Sequence, residues 1–295
     1  TAPAWPPIIG AMITYFNGKF VPKDEVCISP DDRGFLFADG VYEVLCAFDG
    51  RMFQPDAHFA RLAHSLAGLR IPSPDLASLR AAMTELLARN DLQQGGAKLY
   101  IQITRGIAPR GHSFPDEPPA PTRYATAEPY APPEARWATG VRAIRVPDLR
   151  WARCDIKSLA LLPNVLASQQ AKEAGAYEAI LVREGVITEG AHTSVCAVRD
   201  GVLVTHPLTH QILGGVTRDV ILALCCDLGI PYEERPIHKE ELTTSDEVMV
   251  LGTTTGVMPV IQIDDHPIAE GKPGPVTLRL QRALRTMMMG DVEAR

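Results

Sequence analysis

Prolines at 129, 132 and 133 break an otherwise regular alternation of apolar and polar segments, and they constrain the fold more than any other feature of the chain. Each fixes its own φ and lacks an N–H, so several close together resist both a helix and a central strand. Such a cluster reads as an interdomain connector. The sequence then divides into a first domain at residues 1–130, a linker at 131–136 and a second domain at 137–295. With 295 residues, 46% of them hydrophobic, there is material for two cores of ordinary size.

The two parts are patterned differently. In the first, Asn17-Gly18 lies between apolar residues and Asp49-Gly50 follows the apolar-rich residues 41–48, and both pairs are tight hairpin turns by composition. Pro55-Asp56 precedes Phe59, Leu62, Leu66 and Leu69 at helical spacing. Ser73-Pro74-Asp75 does the same for Leu76, Leu79, Met83, Leu86 and Leu87, so two amphipathic helices are expected. Leu99, Ile101 and Ile103 alternate with polar neighbours as a half-buried strand that ends in a long proline-rich loop after Arg105-Gly106. The second part is richer in sheet. Residues 141–146, 179–182 and 195–204 read as strands, with Asp200-Gly201 as another hairpin, and helices are expected from Pro163-Asn164 to Gly175 and over residues 220–228. The fold class is α/β, a small first domain beside a larger, sheet-rich second one.

Charge and cysteine content narrow the function. A net charge of −6 with scattered Lys and Arg offers no basic field for nucleic acid. No apolar run approaches the roughly 20 residues that span a bilayer, and residues 1–12 lack the pattern of a secretory signal, so the expected location is the cytoplasm without a membrane partner. Six cysteines without a Cys-x-x-Cys pair are expected as reduced thiols, and no zinc spacing occurs, so no metal site is expected. The sequence also lacks a Gly-x-Ser-x-Gly elbow, a Gly-x-Gly-x-x-Gly fingerprint and a P-loop.

Four segments could carry chemistry. Lys157 lies between Ile156 and Leu159 in a stretch without helical or strand period. A lysine against apolar neighbours is partly desolvated, which favours the neutral amine that attacks a carbonyl to form an imine; a solvated surface lysine is the plain alternative. Gly214-Gly215-Val216-Thr217 precedes a helical run and could cradle a phosphate on backbone N–H groups, with Thr217 at a capping position; an ordinary glycine loop with a Thr N-cap is the blander reading. The same two readings apply to Gly252-Thr253-Thr254-Thr255-Gly256. Glu189, in Thr188-Glu189-Gly190, could keep a pyridine nitrogen protonated if buried, or be a solvated turn residue. Arg110-Gly111-His112 sets a guanidinium and an imidazole on alternate residues of the long loop, where they could grip one carboxylate.

Taken in order, these pieces resemble the fold-type IV pyridoxal 5′-phosphate (PLP) enzymes, and most closely the bacterial D-amino acid transaminases. The resemblance runs over nearly the whole chain. It is carried by Asp32-Arg33-Gly34-Phe35 with Asp39-Gly40-Val41-Tyr42-Glu43, by the run from Arg150 to Leu159, and by Gly215-Val216-Thr217-Arg218-Asp219. It implies PLP as cofactor, Lys157 as the Schiff-base lysine and catalytic base, and Glu189 on the pyridine nitrogen. It further implies Arg61, Val216, Thr217 and Thr253 at the phosphate, and Leu213 against the ring. Tyr42, Arg110, His112 and Thr254 would meet the substrate, with the Arg110 loop supplied by the partner in a homodimer.

The implied reaction moves an amino group from a D-amino acid to a 2-oxo acid. Branched-chain L-amino acid aminotransferase, (R)-amine transaminase and aminodeoxychorismate lyase chemistry on the same scaffold are the alternatives, with a non-catalytic PLP-binding protein more remote. Two positions depart from the pattern. Ala191-His192-Thr193-Ser194 follows Glu189-Gly190 where small hydroxyl residues and then Asn are expected, and Cys46 stands where a longer polar residue is expected.

Overall fold

The computed structural model describes residues 12–289. The ends of both expected domains, and most of the stretch read for a secretory signal, lie outside the described residues. The chain forms two compact units, one made of the described residues up to Ala131 together with Lys157–Ala160, the other of Pro132–Ile156 and Leu161 onward.

In the first unit the elements are β1 (Ile13–Phe16), β2 (Lys19–Pro22), α1 (Arg33–Phe37), β3 (Gly40–Phe48), β4 (Arg51–Met52), α2 (Pro55–Gly68), α3 (Leu76–Arg89), β5 (Gly96–Thr104) and β6 (Arg123–Pro129). The strands make a six-stranded sheet in the order β2-β1-β6-β5-β3-β4. Asn17-Gly18 and Asp49-Gly50 close the β1–β2 and β3–β4 hairpins with positive φ at both residues, the geometry that their composition predicts. The α3 helix starts at Asp75, whose side chain accepts from the N–H groups of Ala77 and Ser78.

The alternation in β5 decides the layout of this sheet. Ala97, Leu99, Ile101 and Ile103 are buried, while Lys98, Tyr100 and Gln102 between them are half-buried. On β3, paired antiparallel with β5, Val41, Glu43 and Leu45 are buried and Tyr42 and Val44 alternate with them. Helix α2 packs on β3 with Leu62 and Leu66 fully buried, each contributing roughly 1.5–3 kcal/mol by burial. The less buried face is left to Tyr42, Tyr100 and Gln102.

The second unit contains α4 (Glu134–Thr139), β7 (Val141–Pro147), α5 (Leu162–Glu173), β8 (Glu178–Arg183), β9 (Val186–Gly190), β10 (Ser194–Arg199), β11 (Val202–Thr205) and α6 (Val216–Leu228). It continues with β12 (Tyr232–Glu234), β13 (Ile237–His238), α7 (Lys239–Leu242), β14 (Glu247–Gly252), β15 (Gly256–Ile263), β16 (His266–Pro267) and α8 (Pro275–Met289). Its sheet has ten strands, running β12-β11-β10-β14-β15-β7-β8-β9-β13 with β16 on β15. The core is the buried run of Val195, Ala197, Val248, Val250, Met258 and Val260 on neighbouring strands. Ala167 and Ala171 of α5 pack against Val146, Ala179 and Leu181 on β7 and β8.

Within the expected linker, Glu134–Arg136 form the first turn of α4, with Pro133 at the N-cap and Trp137 buried; its indole N–H donates to the Thr255 carbonyl at 2.7 Å. One local expectation is corrected. The helix expected from Val220 starts at Val216, and its N-cap is Gly215, so Thr217 lies inside the first turn and does not cap. Gly215 takes the cap position with its backbone alone, and Val216, Thr217 and Arg218, all buried, form the first turn.

Candidate active site

In the first unit the groups of interest converge on β3. The Lys157 segment docks as an added bit of strand: Tyr42 N–H donates to the Lys157 carbonyl at 3.0 Å and Leu159 N–H to the Gly40 carbonyl at 3.0 Å. The Lys157 N–H donates to Ser65 Oγ on α2 at 3.1 Å. Gly40 is required by this approach, since a Cβ there would stand 2.7 Å from Leu159 Cδ1 and 2.8 Å from the Ile103 carbonyl. Each of these bonds uses a backbone group of the Lys157 segment. Lys157 Nζ stands 4.3 Å from the centre of the Tyr42 ring, which in turn lies 5.9 Å from that of Tyr100.

Beneath this face lies a buried charged cluster. Glu43 is held by Arg61, through Nε at 3.0 Å and Nη2 at 2.6 Å, and by the His58 Nδ1–H at 3.0 Å. Burial pushes the Glu43 carboxyl up, but the charge of Arg61, the hydrogen bonds from His58 and Arg61 and the charge of Lys157 outweigh it and hold the group ionised well below the usual carboxylate range. Burial pushes His58 down further than Glu43 raises it, so the imidazole is neutral and donates from Nδ1. Arg61 is thus a partner of Glu43, with an 11% exposed side chain still reaching the surface.

Arg110 and His112 are exposed in the loop between β5 and β6, and they meet on one ring. The Arg110 guanidinium is 5.3 Å, and the His112 ring 5.6 Å, from the centre of Phe37.

In the second unit Glu189, on β9, is buried, and its Oε2 accepts the Leu213 N–H at 3.1 Å. Its Oε1 is in close contact with Nη1 of Arg150. Arg150 also binds Asp148, whose side chain is fully buried, accepts from Arg150 Nη2 at 2.8 Å and Thr188 Oγ1 at 2.9 Å, and forms an ion pair with Arg183 Nη2 at 3.1 Å. Burial pushes the Arg150 guanidinium down, but the hydrogen bonds to Asp148 and the charges of Glu189 and Asp148 raise it further. A permanent cation therefore faces the Glu189 carboxyl group.

Val216 and Thr217 open α6 after Gly215, and no side chain caps this helix. The first-turn N–H groups of an α-helix have no intrahelical acceptor and favour an anion. Gly215 cannot be replaced without a shift, since a Cβ would sit 2.6 Å from Ser194 Oγ. Gly215→Ala is therefore expected to destabilise the protein by about 1–3 kcal/mol, read as a lowered midpoint in denaturant unfolding. Thr253 and Thr254 lie in the turn joining β14 to β15, closed by the Thr255 N–H to the Gly252 carbonyl at 3.2 Å.

The structure brings Lys157 to Tyr42, Glu189 to Leu213, and Arg110 to His112. Sequence reasoning missed Glu43 as the shared partner of Arg61 and His58, Ser65 as the stop for the Lys157 backbone, and Arg150, itself tied to Asp148, as the partner of Glu189. One signal was available: His58 and Arg61 are three residues apart on one helix and share a face.

Likeness to known proteins gives the protein class, a PLP-dependent aminotransferase. Residues 40–263 match the family described as amino-transferase class IV, and the chain belongs to that family. Among its relatives, the D-alanine aminotransferase of Bacillus licheniformis is 43% identical over 95% of this chain and 98% of its own. That of Staphylococcus haemolyticus is 42% identical over 90% and 94%. Solved structures agree on the fold. The branched-chain amino acid aminotransferase of Escherichia coli superposes with a TM-score of 0.86 at 27% identity, covering 97% of each chain. That of Thermoproteus uzoniensis, solved with norvaline, gives 0.84 at 27%, over 96% of this chain and 97% of its own. A further branched-chain aminotransferase, solved with pyridoxamine 5′-phosphate, gives 0.86 at 29% over 97% of each.

Among the described residues no group of His, Cys, Asp or Glu is placed to hold a metal ion, and no helix is long and apolar enough to cross a membrane.

Proposed function

We propose that this protein transfers the amino group of a D-amino acid, such as D-alanine or D-glutamate, to a 2-oxo acid. The observation that carries the reading is full-length likeness to D-alanine aminotransferases at about 40% identity, whereas the branched-chain enzymes resemble the chain at under 30%. Lys157 would hold the cofactor covalently through its amine, and that amine, when free, would carry the substrate α-proton. Its backbone-only anchoring supports this double duty, because the side chain can swing without undoing the segment. Glu189, paired with Arg150, would hold the pyridine nitrogen in its protonated form. The bound ring then supplies an electron sink for the deprotonated carbon. Val216, Thr217, Thr253 and Arg61 receive the phosphate, and Leu213 packs on the ring. Tyr42, Thr254, Arg110 and His112 orient the substrate, the last two through its carboxylate.

Two further points complete the reading. The protein acts as a homodimer, a state favoured by Leu162, Val165 and Leu166, which put 76%, 57% and 62% exposed apolar side chains on one face of α5. It works in the cytoplasm, in keeping with Cys154, Cys196 and Cys225 as buried free thiols.

The test is the half-reaction. Holoenzyme mixed with D-alanine should lose its Schiff-base absorbance, and L-leucine should leave it unchanged. Bleaching by L-leucine alone would overturn the stereochemical assignment, and bleaching by neither would end the transaminase reading. Arg110→Ala should raise the KM for D-alanine by roughly tenfold or more, the scale of a lost charge-assisted pair, with PLP affinity unchanged. Equal loss of both would mean that the loop acts on the cofactor.

A further inference from the structure

The loop that carries Arg110 and His112 is anchored firmly at its base. The Arg33 N–H donates to the Gly106 carbonyl at 2.9 Å, the Ala108 N–H to that of Asp31 at 3.3 Å, and the Arg105 N–H to that of Asp39 at 3.0 Å. Nearer the tip the tie is a side chain. Arg33, only 4% exposed, donates from Nη1 to the Gly111 carbonyl at 2.6 Å, the residue between Arg110 and His112, and from Nε to Asp39 Oδ2 at 2.8 Å.

Asp39 is fixed in turn. Arg105 binds it with Nε at 2.7 Å and Nη2 at 2.9 Å, and anchors itself on the carbonyls of Leu69 and Arg70 at the end of α2. The Arg33 guanidinium also lies 4.9 Å from the centre of Phe37, the ring that carries Arg110 and His112. A buried arginine therefore links the loop tip to Asp39, which immediately precedes β3, and β3 carries the Lys157 segment.

We propose that Arg33 is a positioning residue for substrate carboxylates: clamped by Asp39, it fixes the Gly111 backbone and so the spacing of Arg110 and His112. The inference rests on the reading that these two side chains bind the carboxylate. A planar guanidinium can serve two acceptors at a set angle, whereas an ammonium is a point donor that can satisfy Asp39 without holding the Gly111 carbonyl. Loss of the clamp costs preorganisation, which appears in substrate binding ahead of chemistry. The loop is set by its own chain, whether the carboxylate it meets belongs to the same subunit or to the partner.

The experiment uses holoenzyme of Arg33→Lys and Arg110→Ala, followed through the D-alanine half-reaction at varied concentration, with PLP affinity measured separately. For Arg33→Lys the half-saturating concentration of D-alanine should rise roughly tenfold, the limiting rate should stay within about threefold, and the PLP dissociation constant within about twofold. Trypsin should cleave after Arg110 faster than in the parent, a readout of loop release that needs no turnover. An unchanged half-saturation, or an equal fall in limiting rate and PLP affinity, overturns the proposal. If Arg110→Ala raises half-saturation and Arg33→Lys does not, this inference alone fails; if Arg110→Ala has no effect, the carboxylate reading beneath it fails. Should Arg33→Lys not fold, Phe37→Leu removes the ring shared by Arg33, Arg110 and His112. It should raise half-saturation in the same direction, and no change there counts against the proposal.

Discussion

Lys157→Ala is expected to lower kcat for D-alanine by at least about three orders of magnitude, because in the function proposed above one amine serves as both covalent anchor and proton carrier. The variant should fold, since the bonds that dock the segment run through the Lys157 N–H and carbonyl and the Leu159 N–H, all retained in alanine. The effect is therefore separable from stability. Thermal unfolding of the apo variant should match the parent, and borohydride reduction of PLP-saturated protein should leave no covalent label. In the parent the label should map to the peptide containing Lys157. A label on another lysine, or near-normal turnover of the variant, would remove the central assignment.

The second large effect concerns stability. Asp148 is a fully buried carboxylate between Arg150 and Arg183, with Thr188 as a further donor. Burial pushes its carboxyl up, but the hydrogen bonds and charge of Arg150 and the Thr188 hydroxyl pull it below the ordinary range. Asp148→Asn keeps the shape and removes the charge, leaving Arg150, whose side chain is 6% exposed, with Glu189 as its remaining anion. Breaking such a pair by removing one partner costs about 3–5 kcal/mol, so denaturant unfolding should show a large drop in midpoint. A lowered folded-state pKa stabilises at pH above the unfolded value near 4 and loses that contribution as pH falls through the folded value. The parent should therefore lose stability steadily below about pH 4, and Asp148→Asn should show a shallower acid limb. Identical acid limbs would mean that the carboxylate is not ionised in the folded protein.

Much of the first unit could be read from sequence because local chemistry and tertiary need coincide there. Asn17-Gly18 and Asp49-Gly50 take positive φ at their hairpins, and β5 alternates because one of its faces is buried. The strands β14 and β15 have no such signature. Nearly every residue of Glu247–Gly252 is buried, so no alternation survives to report a strand. The start of α6 was misplaced because Thr217 looks like a cap, while Gly215 takes that position with backbone alone.

Lys157 and Glu189 were legible as residue types set in unusual company, and Tyr42 only through the family resemblance. The partners that tune them were not, because Glu43 with Arg61 and Arg150 with Glu189 meet across 18 and 39 residues of sequence, which no local pattern encodes. His192 and Cys46, the departures from the family pattern, find different settings. His192 lies beside the buried Glu178 with Nδ1 at 3.1 Å, and burial pushes the Cys46 thiol up to about 12, so it packs as a small apolar group.

The four residues Lys157–Ala160 are grouped with the first unit, although the chain on both sides of them is in the second. A genetic split after Ala131 would thus strand the reactive amine on the fragment that lacks Tyr42, Ser65 and Gly40. Neither piece could assemble its own anchor, and reconstitution would require the C-terminal piece to donate a tetrapeptide into the N-terminal piece. This wiring makes the proline connector a poor place to cut a reporter from this protein, and a circular permutant opened at a surface turn such as Asp200-Gly201 the better one.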